Sequence, residues 1–353
     1  MLLSTASYTN EVLNKITVNK ICDSLQDEQM RMVSLRQCKL SDTGFKRIMK
    51  HCGNSKYLLQ LTLNLGILAD QSRLELLGQA LRRNKTLKGL FIHGNPIGDD
   101  GLKVIVQALC TNHNISTLDI GDCELGDASI HYLKPLLNPE EDKPGLTELT
   151  LSGNTNITEH GWAVLAMSIS CSPCLRSLYV DYNRLGDSGA SCLLIAAAAS
   201  QMIEVLDLEG TNLTEKTGKL VMELIQTYPG MLKRISLVGN KVRKSTMAII
   251  KSILKANNHS EEDTSEDDIW STSTEVTSTE VMSSTGSSTA RSTSSDQSDC
   301  SGDGTSSASS QNDTLKANDS QSKVDETETE VKDTEEKEAE DSCEELKEVP
   351  VFW

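Results

Sequence analysis

Cys171-Ser172-Pro173-Cys174 is the one place in this chain where two soft, redox-capable side chains stand two residues apart. With a second pair, or with two nearby histidines, such a motif would hold a structural zinc ion; alone it could exchange thiol for disulfide. No second C-x-x-C occurs and the six histidines are scattered. The pair therefore reads as a helix end and a turn that carry thiols, and neither metal nor cofactor is expected. A Gly-rich phosphate loop, a G-x-S-x-G elbow and an H-E-x-x-H helix are missing as well. The chain is expected to be no enzyme.

What remains is a set of acids and aromatics at recurring spacing: Phe91, Asp119, Asp122, Glu148, Tyr179, Asp181, Tyr182, Asp207 and Glu209. Carboxylates interleaved with aromatic rings suit a partner that brings Lys or Arg, because charge steers the encounter and the rings add cation–π contact. These nine residues are the candidate partner-binding site. Nucleic acid is not expected as a partner, because the basic residues between Lys216 and Lys255, Arg234 among them, are not interleaved with aromatics and the acidic C-terminal residues would repel phosphate.

The elements that must position them follow from one phrase written eight times. Its first apolar residues are Met30, Leu58, Leu87, Ile115, Leu146, Leu175, Ile203 and Leu232, spaced 28 or 29 apart except for one step of 31. A fixed period of this size marks a solenoid. Each L-x-x-L-x-L segment alternates, so Leu118 and Ile120 face inward while the residues between them face outward on a strand. Asn95, Asn154, Asn183 and Asn240 then stand where the chain turns, able to donate and accept at once and so to stack as a ladder, with Cys38, Cys123 and Thr211 as weaker substitutes. Ser172 is expected to lie outside that ladder. The acids Asp42, Asp99, Asp127, Glu159, Asp187 and Glu215 open a helix, where an anion faces the free N–H groups at its own helix start. Apolar residues such as Leu102, Ile105, Val106 and Leu109 carry the helical spacing.

These units resemble the ribonuclease-inhibitor-like leucine-rich repeats. The strings that carry the likeness include LTLNLG from Leu61, LDIGDCELGD from Leu118, DYNRLGD from Asp181 and EVLDLEGTNLT from Glu204. The resemblance covers roughly residues 28 to 257. It implies an α/β horseshoe with parallel strands on the concave face and helices on the convex face, a protein-binding role inside the cell, and no catalytic motif to carry over. GTPase-activating proteins for Ran also join such repeats to an acidic tail, so regulation of a small GTPase is the alternative reading.

Charge and composition divide the chain. Residues 1–258 hold 28 Lys plus Arg against 25 Asp plus Glu, a balance of +3, whereas 259–353 hold 6 against 26, a balance of −20 that sets the net charge of the chain at −17. Ser and Thr supply 34 of those last 95 residues. So few large apolar residues cannot offset the entropy of ordering, and residues 259–353 are expected to be a disordered acidic tail with Ser/Thr sites suited to an acidophilic kinase. Residues 30–258 form the repeat domain, and 1–29 are read as an N-terminal cap or worn repeat whose helix contains Ile16, Ile21, Cys22 and Leu25. No run reaches the about 18 apolar residues of a membrane span, and the N-terminus lacks a secretory pattern. The ten cysteines include two at the ladder position, which fits a reducing, cytoplasmic setting. The chain is expected to be an adaptor for a protein partner whose identity the sequence leaves open.

Overall fold

The computed structural model describes residues 4–26, 30–112, 114–139 and 145–259. The acidic tail and the disorder expected of it lie outside the described residues. Strand and helix alternate: β1 (Ser4–Thr9), α1 (Lys15–Gln26), β2 (Met30–Arg36), α2 (Asp42–Asn54), β3 (Gln60–Asn64) and α3 (Gln71–Arg83). They continue with β4 (Gly89–Phe91), α4 (Gly98–Leu109), β5 (Thr117–Asp119), α5 (Asp127–Leu137), β6 (Glu148–Thr150) and α6 (Glu159–Ser170). The last three units are β7 (Ser177–Tyr179), α7 (Gly186–Ser200), β8 (Val205–Asp207), α8 (Glu215–Thr227), β9 (Arg234–Ser236) and α9 (Lys244–His259). Among the described residues nine strands run parallel, in chain order, in one open sheet.

β1 pairs with β2 from Ser4 to Thr9, so the worn first segment supplies a strand of the same sheet. Its helix buries Val18, Ile21, Cys22 and Leu25. Ile16, placed in that helix by the sequence reading, is 67% exposed because Val18 takes the inward position.

The inward leucines form one continuous apolar core along the solenoid. Leu35, Leu63, Leu90, Leu118, Leu149 and Leu178 are at most 1% exposed. Helices approach the turn below them closely: a Cβ on Gly101 would stand 2.8 Å from Cβ of Ile97 and 3.0 Å from Cδ1 of Leu74. Glycine is required there for space.

The asparagine ladder satisfies the turns. Asn154 Nδ2 donates to Ile120 O (2.9 Å) and Leu151 O (3.0 Å), while its Oδ1 accepts from the N–H groups of Cys123 (3.0 Å) and Leu125 (3.1 Å). Asn95 and Asn240 bridge repeats in the same way. Cys38, Cys123 and Thr211 use a single donor to reach the carbonyls. Asn183 donates to Leu151 O and Val180 O, but its Oδ1 has no partner. The turn it faces, Asn154-Thr155-Asn156-Ile157, is one residue longer than Cys123-Glu124-Leu125, which supplies both N–H groups to Asn154.

One expectation is corrected, and one stands with an addition. The acids at helix starts cap the helix of the next repeat rather than their own. Asp99 Oδ1 accepts from the N–H of Gly126 (2.9 Å) and Ser129 (3.2 Å), Asp127 from Thr158 (2.7 Å), Asp187 from Thr214 (2.9 Å) and Glu215 from Arg243 (2.9 Å). Each acid sits inside the first turn of its own helix, too far along to fold back on that helix's free donors, and the adjacent helix start lies beside it. Asp42 instead pairs with Arg73 at 2.8 Å, and Glu159 makes no such cap. Ser172, in turn, belongs to a second ladder at the opposite end of the helices: its Oγ donates to Leu137 O (2.7 Å). Asn84 donates to Cys52 O (2.7 Å) and Asn112 to Leu81 O (2.9 Å) in the same row. Its sequence signal is a polar residue three places before the first apolar position, as in Asn84/Leu87, Asn112/Ile115 and Ser172/Leu175.

Candidate functional site

Strand pairing sets the outward residues in columns. One runs Ser7, Ser34, Thr62, Phe91, Asp119, Thr150, Tyr179, Asp207, Ser236, each the partner of the next across the ladder. Beside it run Thr117, Glu148, Ser177, Val205 and Arg234. Neighbouring strands lie about 4.8 Å apart, so adjacent members of a column touch.

Of the nine candidate residues, Asp119, Glu148, Tyr179, Asp181, Asp207 and Glu209 are brought together half-buried on β5 to β8 and the turns that follow. Phe91 is half-buried one strand before them, and Asp122 and Tyr182 stand exposed at the edge. Both edge residues stand three places after the end of their strand, with φ +49° and +55°. Gly94, Gly153, Gly210 and Gly239 fill the same left-handed slot in other units. A side chain there carries a steric penalty that glycine avoids.

Burial governs the electrostatics. Desolvation raises the carboxyls of Glu148, Asp181 and Asp207 above their ordinary range, and the neighbouring charge of Asp119 adds to the effect at Glu148. Ser152 Oγ donates to Asp181 Oδ1 at 2.5 Å, and the backbone N–H of Glu209 donates to Asp207 Oδ1 at 3.0 Å; both bonds partly oppose the rise. Tyr182 Oη donates to Glu209 Oε1 at 2.5 Å, which pushes the phenol up to about 12. The patch thus holds anions in a partly desolvated setting where a cation would be attracted more strongly than at an open surface.

Two basic residues outside the nine candidates, His93 and Arg234, border it. His93 Nδ1 lies 3.5 Å from Asp119 Oδ1, and this hydrogen-bonding contact raises its pKa. The ring can lean there because its neighbour is Gly121, where a Cβ would stand 2.5 Å from Nδ1. Arg234, on β9, reaches over β8 to Tyr179 Oη (3.4 Å). The register predicts both only once the columns are written side by side.

The C-x-x-C pair is unbridged, with Cys171 exposed and Cys174 half-buried. Among the described residues no group of three His, Cys, Asp or Glu is arranged to hold a metal ion. No described helix is long and apolar enough to cross a membrane.

Strand, asparagine turn and helix repeated along an open parallel sheet define a leucine-rich repeat protein. The Leucine Rich repeat family model matches residues 83–106, 111–132 and 171–194. The chain belongs to the leucine-rich repeat family. Its similarity is strong to leucine-rich repeat-containing protein 73: 40% identity to the protein of Rattus norvegicus over 262 residues, covering 74% of this chain and 83% of that one. The Homo sapiens protein is 38% identical over the same coverage. Among solved structures, the yeast Rad7 and Elc1 complex matches with a TM-score of 0.43 and 17% identity, over 65% of this chain and 62% of the matched chain. The repeats and the leucine-rich repeat sequence relatives support a role in protein interaction.

Proposed function

We propose that the chain is a non-enzymatic cytoplasmic adaptor that holds a protein partner on the C-terminal half of its concave face, with the acidic tail tuning solubility or binding. One observation carries the reading: Glu148, Asp181 and Asp207 are half-buried acids on or just after three successive strands, with Arg234 as the nearby fixed cation. Such clustering destabilises the free protein and is relieved when a partner inserts Lys or Arg. The cytoplasmic placement rests on thiols used as hydrogen-bond donors inside the ladder at Cys38 and Cys123.

The test is capture of partners from cells by the whole chain and by Asp181→Lys combined with Asp207→Lys. The double variant should lose the main partner by more than about tenfold, since truncating or reversing buried interface charges costs about 2–5 kcal/mol. Reversal of the helix residues Lys103 and Lys134 should leave capture intact. An unchanged partner set with the strand variant removes the concave patch from consideration. The reading as a small-GTPase regulator rests on the tail and the repeat class, and acceleration of nucleotide hydrolysis across a GTPase panel would replace the adaptor reading with it.

A further inference from the structure

Among the described residues β9 is the last strand, and no later unit covers its free side. The exposed end is a groove of about 740 Å³ between β9 and α9, floored by Ile235, Leu237, Met247, Ile250 and Leu254. Inside the solenoid the next L-x-x-L-x-L segment would seal this space. An uncovered apolar sheet edge invites association, which repeat proteins normally prevent with a capping unit. Lys233, Arg234, Lys251 and Lys255 rim the groove. Lys233 shares Glu204 with Arg176, whereas Lys251 and Lys255 have no ion pair among the described residues.

The segment that follows, outside the described residues, has the complementary chemistry. Glu261 to Trp270 reads EEDTSEDDIW: six carboxylates, then two large apolar side chains. Trp270 comes 11 residues after His259, the end of α9. At about 3.3 Å per residue that length reaches roughly 36 Å, ample to return to a groove whose lining includes Lys255 and Asn258 on the last turns of the same helix. A second copy is the poorer occupant, because it would set the same four cations against each other. We propose that Glu261–Trp270 folds back on its own chain, its acids on the lysine rim and Ile269 and Trp270 in the apolar floor, so that the start of the tail caps the solenoid.

The experiment uses the full chain with a photoreactive benzoylphenylalanine in place of Trp270, irradiated at low salt. Cross-links within the monomer should fall on Ile235–Leu237 and Met247–Leu254. Reversal of Lys251 and Lys255 to Glu, both exposed and harmless to folding, should lower their yield about fivefold, as expected for a few screened ion pairs. Adding Asp267→Lys and Asp268→Lys to that chain should restore it. Cross-links to the concave strands, cross-links found only in covalent dimers, or a yield indifferent to the charge reversals would each overturn the proposal.

Discussion

The concave columns of β1–β3 and of β5–β8 share one backbone and differ in what they present. In the first half Ser34, Thr62 and Asn64 are short, neutral and 2–6% exposed. In the second half the same columns hold Asp119, Tyr179, Asp181 and Asp207, half-buried and mostly anionic. His93 stands between them. The inward leucines and the turn ladder are common to both halves, so the fold does not require the acids. Their presence has a cost in the free protein, as the upward displacement of three carboxyls shows. Scaffold and surface are therefore separable, and substitutions can separate them.

The largest effect is expected where the shared scaffold is cut beneath each half. Asn154→Leu removes four hydrogen bonds, three of which join two repeats, and unfolding in urea should show a loss of about 3 kcal/mol or more. Asn183→Leu, which already lacks an acceptor contact, should lose about 1–2 kcal/mol. Cys38→Ala beneath the neutral half should lose under about 1 kcal/mol, because a thiol is a weak donor. Equal losses at Asn154 and Asn183 would break the account of the longer turn.

Next in size is Ser172→Leu, which strands the carbonyl of Leu137 at the far end of the helices. A loss of about 1–2 kcal/mol is expected, and a silent substitution would return the second ladder to chance.

The seam between the halves should respond to pH. His93 titrates above its ordinary value of about 6.5 in the fold, so its contribution is complete below that pH and is lost as pH rises through the folded value. Asp181, Asp207 and Glu148, also raised, favour the acid side in the same sense at lower pH. His51, lowered by burial, acts oppositely. The informative quantity is thus the difference between the chain and His93→Gln: the melting temperature of the former should fall more between pH 6 and 8. Parallel curves would detach His93 from Asp119.

The smallest effect has the clearest sign. Asp207→Asn keeps the bond from Glu209 N–H and removes a half-buried charge, so at neutral pH it should raise the melting temperature by about 1–3 °C while weakening capture of the partner. Thr62→Val in the neutral half should leave capture untouched. A destabilised Asp207→Asn would mean that the acids serve the fold.

Periodicity alone determined the architecture, because inward leucines at a fixed interval can share one core only by stacking parallel units, and a turn without strand partners needs the Asn side chain. The columns of the concave face followed, since strand alternation and a constant step leave no freedom in register. Tertiary structure decided what depends on the lateral offset between neighbouring units. Asp99 caps Gly126 and Ser129, 27 and 30 residues on, and no pattern inside one repeat distinguishes this from capping its own helix. His93 meets Asp119 only because Gly121 leaves room, and Arg234 meets Tyr179 only by spanning the strand between them. The end of the period at α9 was legible, but the apolar groove left there was not: a sequence shows where repeats stop, whereas the side chains that stop leaves uncovered depend on how the last strand and helix pack.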